Sequence, residues 1–273
     1  MELEKTPNEC AFNLETDGIC MDDPTVKKIK KFAIIKKINV SDKNEFVDKL
    51  KQIYNCDSES CLLNQGEIRN VIGETVVQDQ LKTRFKPPGP WDTFDWLSNF
   101  HIDDVLDQVS KKHADKNFLH IPYQMRDFEQ AKTELSNIDF VQKYKLGVRC
   151  FGIVFNTDLS SGGGKHWFCI YGDMSKNPMT IEYFNSSGEL PLTEIEIWMK
   201  KTKHLLERGL NKPVYDIIVS RVQYQNDSHS CGAYSLYYIL SRLSGADVSD
   251  FKKNYVNDKL MHEFRKHLFR KTK

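Results

Sequence analysis

The sequence predicts an α+β protein in which a helical N-terminal arm precedes a core of helices flanking a central mixed β-sheet. Three observations predict it. Apolar residues recur at helical spacing through the first 84 residues. The stretch "KPPGPW" (86–91) then interrupts that pattern with three prolines and a glycine. Beyond it, short β-branched and aromatic runs are interleaved with amphipathic helices. The expected division is a helical arm domain over 1–84 and a core domain of catalytic size over 85–273.

Taken in order, the first 25 residues carry no sustained periodicity and read as loosely ordered. Residues 26–37, "VKKIKKFAIIKK", read as a short basic helix. Residues 42–54 open on an Asp42/Glu45 capping pattern and repeat Phe46, Val47, Leu50, Ile53 and Tyr54. A third helix is expected over 65–83, with Ile68, Val71, Ile72 and Val76 in its stripe. After the break, Ile102, Val105, Leu106 and Val109 mark one helix, and Phe128, Ala131 and Leu135 mark another. Strands are expected at 148–156, 165–172 and 179–184. Residues 193–209 make a helix with a Thr193/Glu196 capping box, a stripe of Ile195, Trp198, Met199, Leu205 and Leu206, and a closing glycine. A strand over 214–221 leads into "NDSHSCGAYSLYYIL" (226–240), a polar loop that becomes an apolar helix. Two short helices close the chain, the last with Leu260, Met261, Phe264 and Leu268 on one face.

Composition narrows the function classes. Apolar residues form 40 % of the chain, enough for a substantial core, and 39 basic residues balance 38 acidic ones. Bulk charge therefore points to neither a nucleic-acid nor a membrane partner. The polar start "MELEKTPNEC" argues against a signal peptide. No apolar run approaches the ~18 residues that span a bilayer. The seven cysteines are odd in number and irregularly spaced. They predict a reducing compartment with thiols free rather than paired.

Cys231 stands where the polar loop meets the apolar helix. Amide N–H groups and the macrodipole at a helix start favour a thiolate and are expected to lower its pKa. Gly232 leaves room for an approaching carbonyl, and the Cys231 amide can serve an oxyanion. A lone cysteine in such a place is more often a buried hydrophobe, so its partners decide. A nucleophilic thiol needs a base and a group to orient that base. His166 follows the glycine-rich "SSGGGK" and heads a strand, where catalytic groups commonly emerge. His229 is a weaker candidate, read as a loop residue. Asn185 ends the next strand; it is most simply a turn former, and equally an acceptor for an imidazole N–H. Gln225 is either a solvated loop residue or an oxyanion donor.

In order, "HW", then "YFNSSG", then a glutamine before "CG" resemble the ubiquitin-like-protein-specific cysteine proteases, the SUMO-protease superfamily. "WLSNFHID" (96–103) is similar to a segment near the start of that domain. Among viral members the likeness extends to "CDSESC" (56–61), "RFKPPGP" (84–90) and the C-terminal "HLFR", so it spans nearly the whole chain. The resemblance implies a cysteine endopeptidase with His166 as base, Cys231 as nucleophile, Asn185 as orienting residue and Gln225 as oxyanion donor. Asn185 stands where cellular members carry aspartate. Trp167 matches the tryptophan that narrows the substrate tunnel, with Trp96 and Asn99 as further substrate-binding residues. The substrate implied is a structural polyprotein cut after Gly-Gly during particle maturation, in the host cytoplasm (viral factories) and the virion. No cofactor or metal is implied.

Other readings have their own signatures. Deconjugation of a ubiquitin-like protein would use the same residues, and acyl transfer to an amine would depend on acetyl-CoA. The basic run in the arm could make that region an interaction module for nucleic acid or an acidic membrane. The absence of base-stacking aromatics disfavours nucleic acid. "CDSESC" alone is a weak zinc pattern.

Overall fold

The structure is a computed structural model that describes residues 8–16, 18–38, 43–219, 221–253 and 256–272. By compactness the chain falls into two units, one of residues 94–264 and one that joins the described residues up to Thr93 with 265–272.

The second unit holds helices α1 (Asp23–Ile35), α2 (Lys43–Ile53), α3 (Glu59–Leu63), α4 (Gly66–Ile72) and α5 (Glu74–Thr83). α1 begins where the Asp22 carboxylate accepts the Thr25 amide at 2.8 Å. The capping residue expected for α2, Asp42, lies outside the described residues. Where one helix was expected over 65–83 there are two, because Gly73 takes φ 96° between α4 and α5. The stripes of Ile29, Phe46, Leu50, Leu62, Ile68 and Val77 meet in one core with Phe85.

The described residues before 25 are less loose than their sequence implies. Cys10 bridges to Phe85, the Ala11 amide donates to Arg84, and Ile19, Cys20 and Met21 are buried. The expectation of free thiols is also corrected: Cys10 is bonded to Cys20 and Cys56 to Cys61. Tertiary approach, which spacing does not encode, decides such pairing. Two carboxylates knit the bridges together. Glu59, between Cys56 and Cys61, accepts the amides of Cys20 and Met21, and Glu9 accepts those of Glu59 and Ser60. The C-terminus returns to the same unit, where the Arg270 guanidinium donates to the carbonyls of Leu81 and Lys86. A Cβ at Gly89 would lie 2.3 Å from the Phe269 ring, so only glycine lets the two segments meet.

The first unit is built on one mixed sheet, β1 (Phe118–Met125), β2 (Cys150–Asn156), β3 (Trp167–Asp173), β4 (Met179–Phe184) and β5 (Val214–Ile218). The strands lie in chain order: the outer pairs, β1–β2 and β4–β5, are parallel and the inner pairs antiparallel. With α6 (Asn99–Lys112), α7 (Phe140–Lys145), α8 (Thr193–Leu210), α9 (Cys231–Leu243), α10 (Val248–Lys253) and α11 (Asp258–Leu268), this is an α+β fold.

Alternation sorts the two faces of the sheet. Phe151, Ile153, Phe155, Phe168, Ile170, Ile181 and Tyr183 pack with Trp198 and Leu206 of α8. The opposite face meets α9, where Phe184 stacks on Tyr238 and Glu182 accepts from Tyr238 and Arg242. α9 is buried along its whole length, as its continuous apolar run requires.

Three local expectations are corrected here. Residues 128–135 form turns leading to a 3-10 helix at Glu134–Asn137, although Phe128 and Leu135 still enter the core. Thr193 is the first residue of α8 and caps nothing, and the helix runs through Gly209 to Asn211, which takes the left-handed turn at φ 51°. β5 stops at Ile218, short of the expected 221.

Candidate active site

Strand order brings the base candidate to its partner. β3 and β4 are antiparallel with Cys169 opposite Phe184, so the residue before β3 and the residue after β4 emerge at the same end of the sheet. These are His166 and Asn185, and His166 Nε2 lies 2.7 Å from Asn185 Oδ1. The His166 carbonyl accepts the Thr157 amide, and Asn156 Oδ1 accepts the Lys165 amide, which fixes the preceding loop. Asn185 is 2 % exposed; its Nδ2 donates to the Tyr183 hydroxyl, and its Oδ1 also accepts from Ser187 N and Oγ. With Nε2–H directed at Asn185, Nδ1 is left as the acceptor nitrogen of the imidazole.

Cys231 is the first residue of α9 and is 3 % exposed. Burial pushes its thiol up, while the amides of Trp167, Gly232 and Cys231 itself pull the other way. Burial wins, and the nearby Asp227 carboxylate adds to the rise. The expectation of a pKa lowered by the helix N-terminus is therefore reversed in the free protein. The other free cysteines have weaker opposition: Cys150 is pushed up to about 11, and Cys169, where burial and the Glu182 charge both act, well above its ordinary value. Gly232 is packed tightly, since a Cβ there would lie 3.0 Å from Leu97 Cβ. The Leu97 carbonyl in turn accepts the Trp167 indole N–H at 2.9 Å.

Gln225 is buried but its amide is occupied. Its Oε1 accepts the Ser186 hydroxyl at 2.8 Å, and its Nε2 donates to the Asp227 carbonyl at 2.9 Å and carboxylate at 3.1 Å. Sequence reasoning missed Ser186 and Asp227. The signal was present in part, because the consecutive "NSS" after β4 offers several side-chain acceptors and donors at one turn. Asp227 accepts the amides of His229 and Ser230 and the Ser230 hydroxyl, so the turn before α9 is held by this side chain rather than by a cap on Ser230. His229 pairs with Asp227 at 3.1 Å and meets Phe94 edge-on.

The substrate-site candidates are scattered in exposure. Trp167 is buried, Asn99 is half-buried at the first position of α6, and Trp96 is 51 % exposed. A cavity of about 580 Å³ lies elsewhere, between the 134–141 segment and α8, lined by Leu135, Phe140, Trp198 and Leu205. Cys56 and Cys61 are spent on each other, which removes the zinc reading of that pair.

A buried thiol at a helix start, against the amide of Trp167, and an amide-oriented histidine one residue before Trp167 are the parts a thiol-dependent hydrolase site requires. The family model of the Ulp1 protease C-terminal catalytic domain matches residues 100–273, and the chain belongs to that family. It is a cysteine protease. It is 32 % identical to the cysteine protease of African swine fever virus, over 98 % of this chain and 97 % of that one. The same figures hold for the enzyme called SUMO-1 cysteine protease in a South African tick isolate of that virus. The crystal structure of the African swine fever virus protease superposes with a TM-score of 0.84 at 30 % identity, covering 97 % of this chain and 96 % of that one.

Proposed function

We propose that the protein is an endopeptidase that cuts a structural polyprotein after Gly-Gly, through thiolate attack by Cys231. The observation that carries this is the 2.7 Å contact between His166 Nε2 and Asn185 Oδ1, which leaves Nδ1 as the base nitrogen. His166 takes the thiol proton as Cys231 attacks the glycine carbonyl. The amide donors at the start of α9, joined by Gln225 Nε2, receive the oxyanion. His166 then protonates the leaving amine, and water hydrolyses the thioester. A resting thiol rather than a thiolate fits this sequence, because burial holds the proton on sulfur until the base withdraws it.

The close packing of Leu97, Gly232 and Trp167 supports a narrow approach that favours residues without side chains. By similarity, the polyprotein is viral and the enzyme works in the host cytoplasm and the particle. A second reading, release of a ubiquitin-like protein from lysine, is favoured by the SUMO-1 protease name of a relative.

The test incubates wild type, Cys231→Ala and His166→Ala with Gly-Gly-containing peptides and with ubiquitin-like C-terminal probes, and identifies the products by mass. Both variants are expected to lose cleavage. Cleavage by Cys231→Ala at the wild-type rate overturns the assignment, and turnover confined to the ubiquitin-like probes replaces the polyprotein reading by the second one.

A further inference from the structure

Asp227 has no place in the chemistry above, yet it gathers more hydrogen bonds than any residue of the proposed machinery. Its Oδ1 accepts the amides of His229 at 3.0 Å and Ser230 at 2.9 Å, together with Gln225 Nε2 at 3.1 Å. Its Oδ2 accepts the Ser230 hydroxyl at 2.6 Å and lies 3.1 Å from His229 Nε2. Its carbonyl takes Gln225 Nε2 at 2.9 Å. Burial raises the pKa of this carboxyl, but the Ser230 hydroxyl and the amides of His229 and Ser230 outweigh it, so the group is held ionised.

We propose that Asp227 is the positioning residue of the oxyanion site: one carboxylate fixes both the Gln225 amide and the turn that delivers Cys231. The proposal rests on the cysteine-protease reading of this site. The geometry has a definite consequence. Gln225 Nε2 donates to Asp227 twice over, to the carbonyl at 2.9 Å and to the carboxylate at 3.1 Å. Ser186 meanwhile holds Oε1, so the amide cannot turn over and present oxygen to the negative charge. Asp227 thus fixes the direction of Nε2 and at the same time holds Ser230, the residue before Cys231.

A merely structural carboxylate would lower stability without singling out the transition state. A positioning residue acts through Gln225, and a double-mutant cycle reads that dependence. The substrate is a fluorogenic peptide ending in Gly-Gly, and the full chain is used throughout. Asp227→Ala is expected to lower kcat by about 10²-fold with KM within about threefold, the loss typical of one oxyanion donor. Gln225→Ala should cost a similar factor, and the double variant no more than either single one. Asp227→Asn, which keeps one acceptor oxygen, should recover most of the loss.

Multiplying single-variant effects would overturn the proposal, as would a loss confined to KM. Should Asp227→Ala fail to fold by circular dichroism, Asp227→Glu carries the same cycle, since one extra methylene moves the carboxylate out of the turn. Cys231→Ala runs alongside. Its inactivity secures the underlying reading, so that the cycle alone decides on Asp227; cleavage by that variant overturns the reading and the proposal together.

Discussion

Removing the Glu182 carboxylate should loosen the seat of α9, the helix that begins at Cys231. Glu182 is 0 % exposed on the sheet face that α9 covers. Its Oε2 accepts from Tyr238 OH and Arg242 Nε, both at 2.7 Å, and its Oε1 from Arg242 Nη2 at 2.9 Å and Thr180 Oγ1 at 2.6 Å. Glu182→Ala leaves the Arg242 guanidinium, itself 3 % exposed, with Asp173 at 3.5 Å as its remaining carboxylate. Breaking a buried pair by deleting one partner costs about 3–5 kcal/mol, because a desolvated charge is stranded. For a unit of this size each kcal/mol moves Tm by about 2–4 °C, so the expected fall is roughly 6–20 °C. The assay is differential scanning calorimetry of the full chain, following the transition that carries the sheet. Replacing the pair by Glu182→Met with Arg242→Met should restore much of the loss, since apolar substitutes of similar volume avoid stranding either charge. A fall below about 2 °C for Glu182→Ala, or a double variant as unstable as the single one, would refute this reasoning.

The other predictions concern the site and the helical unit. Gly232→Ala should raise KM and lower kcat of Gly-Gly peptide cleavage by about tenfold or more, because its Cβ meets Leu97, whose carbonyl anchors Trp167; unchanged kinetics would remove the tight-wall explanation. Burial lifts the Glu59 carboxyl to about 7 from 4.5, and Glu9 shifts in the same direction. The folded state then holds the proton more tightly than the unfolded one, so this stabilisation is full below pH 4.5 and is lost as pH rises through about 7. The loss amounts to about 3 kcal/mol, and Glu59→Gln should flatten the thermal-stability profile between pH 5 and 8. Alkylation of the unfolded, unreduced chain should label three cysteines, Cys150, Cys169 and Cys231, and all seven after dithiothreitol; seven labels without reductant would exclude both bridges.

The helices and inner strands were legible because their periodicity is local and strong. α6, α8 and α9 follow their apolar stripes closely. β1 was invisible for a physical reason: it is an edge strand, it carries Pro122, and its register slips between Ile121 and Gln124. Its burial alternates poorly, so neither the period-2 signal nor continuous apolarity marks it. The Cys10–Cys20 and Cys56–Cys61 bridges were misread because composition reports a compartment only on average, whereas pairing depends on which thiols the fold brings together. At the site, motif order identified His166, Asn185, Gln225 and Cys231 as candidates, and the geometry brings His166 to Asn185. The rise in the Cys231 pKa was not readable, since helix-end amides are apparent in sequence and the depth of burial is not. Ser186 and Asp227 were missed because a serine or aspartate in a polar loop looks solvated until its partners are known.

Two adjacent residues after β4 carry more than their length suggests. Asn185 reaches His166 and Ser186 reaches Gln225, while Gly188, at φ 76°, closes the same turn with backbone only 2.9 Å from where its Cβ would be. The proposed base and the proposed oxyanion donor therefore share a single mechanical mount. Mutations that shift this turn should move both parts as a rigid jig, preserving their spacing but not their aim at Cys231. An insertion within 185–188 would accordingly disturb two alignments in one stroke.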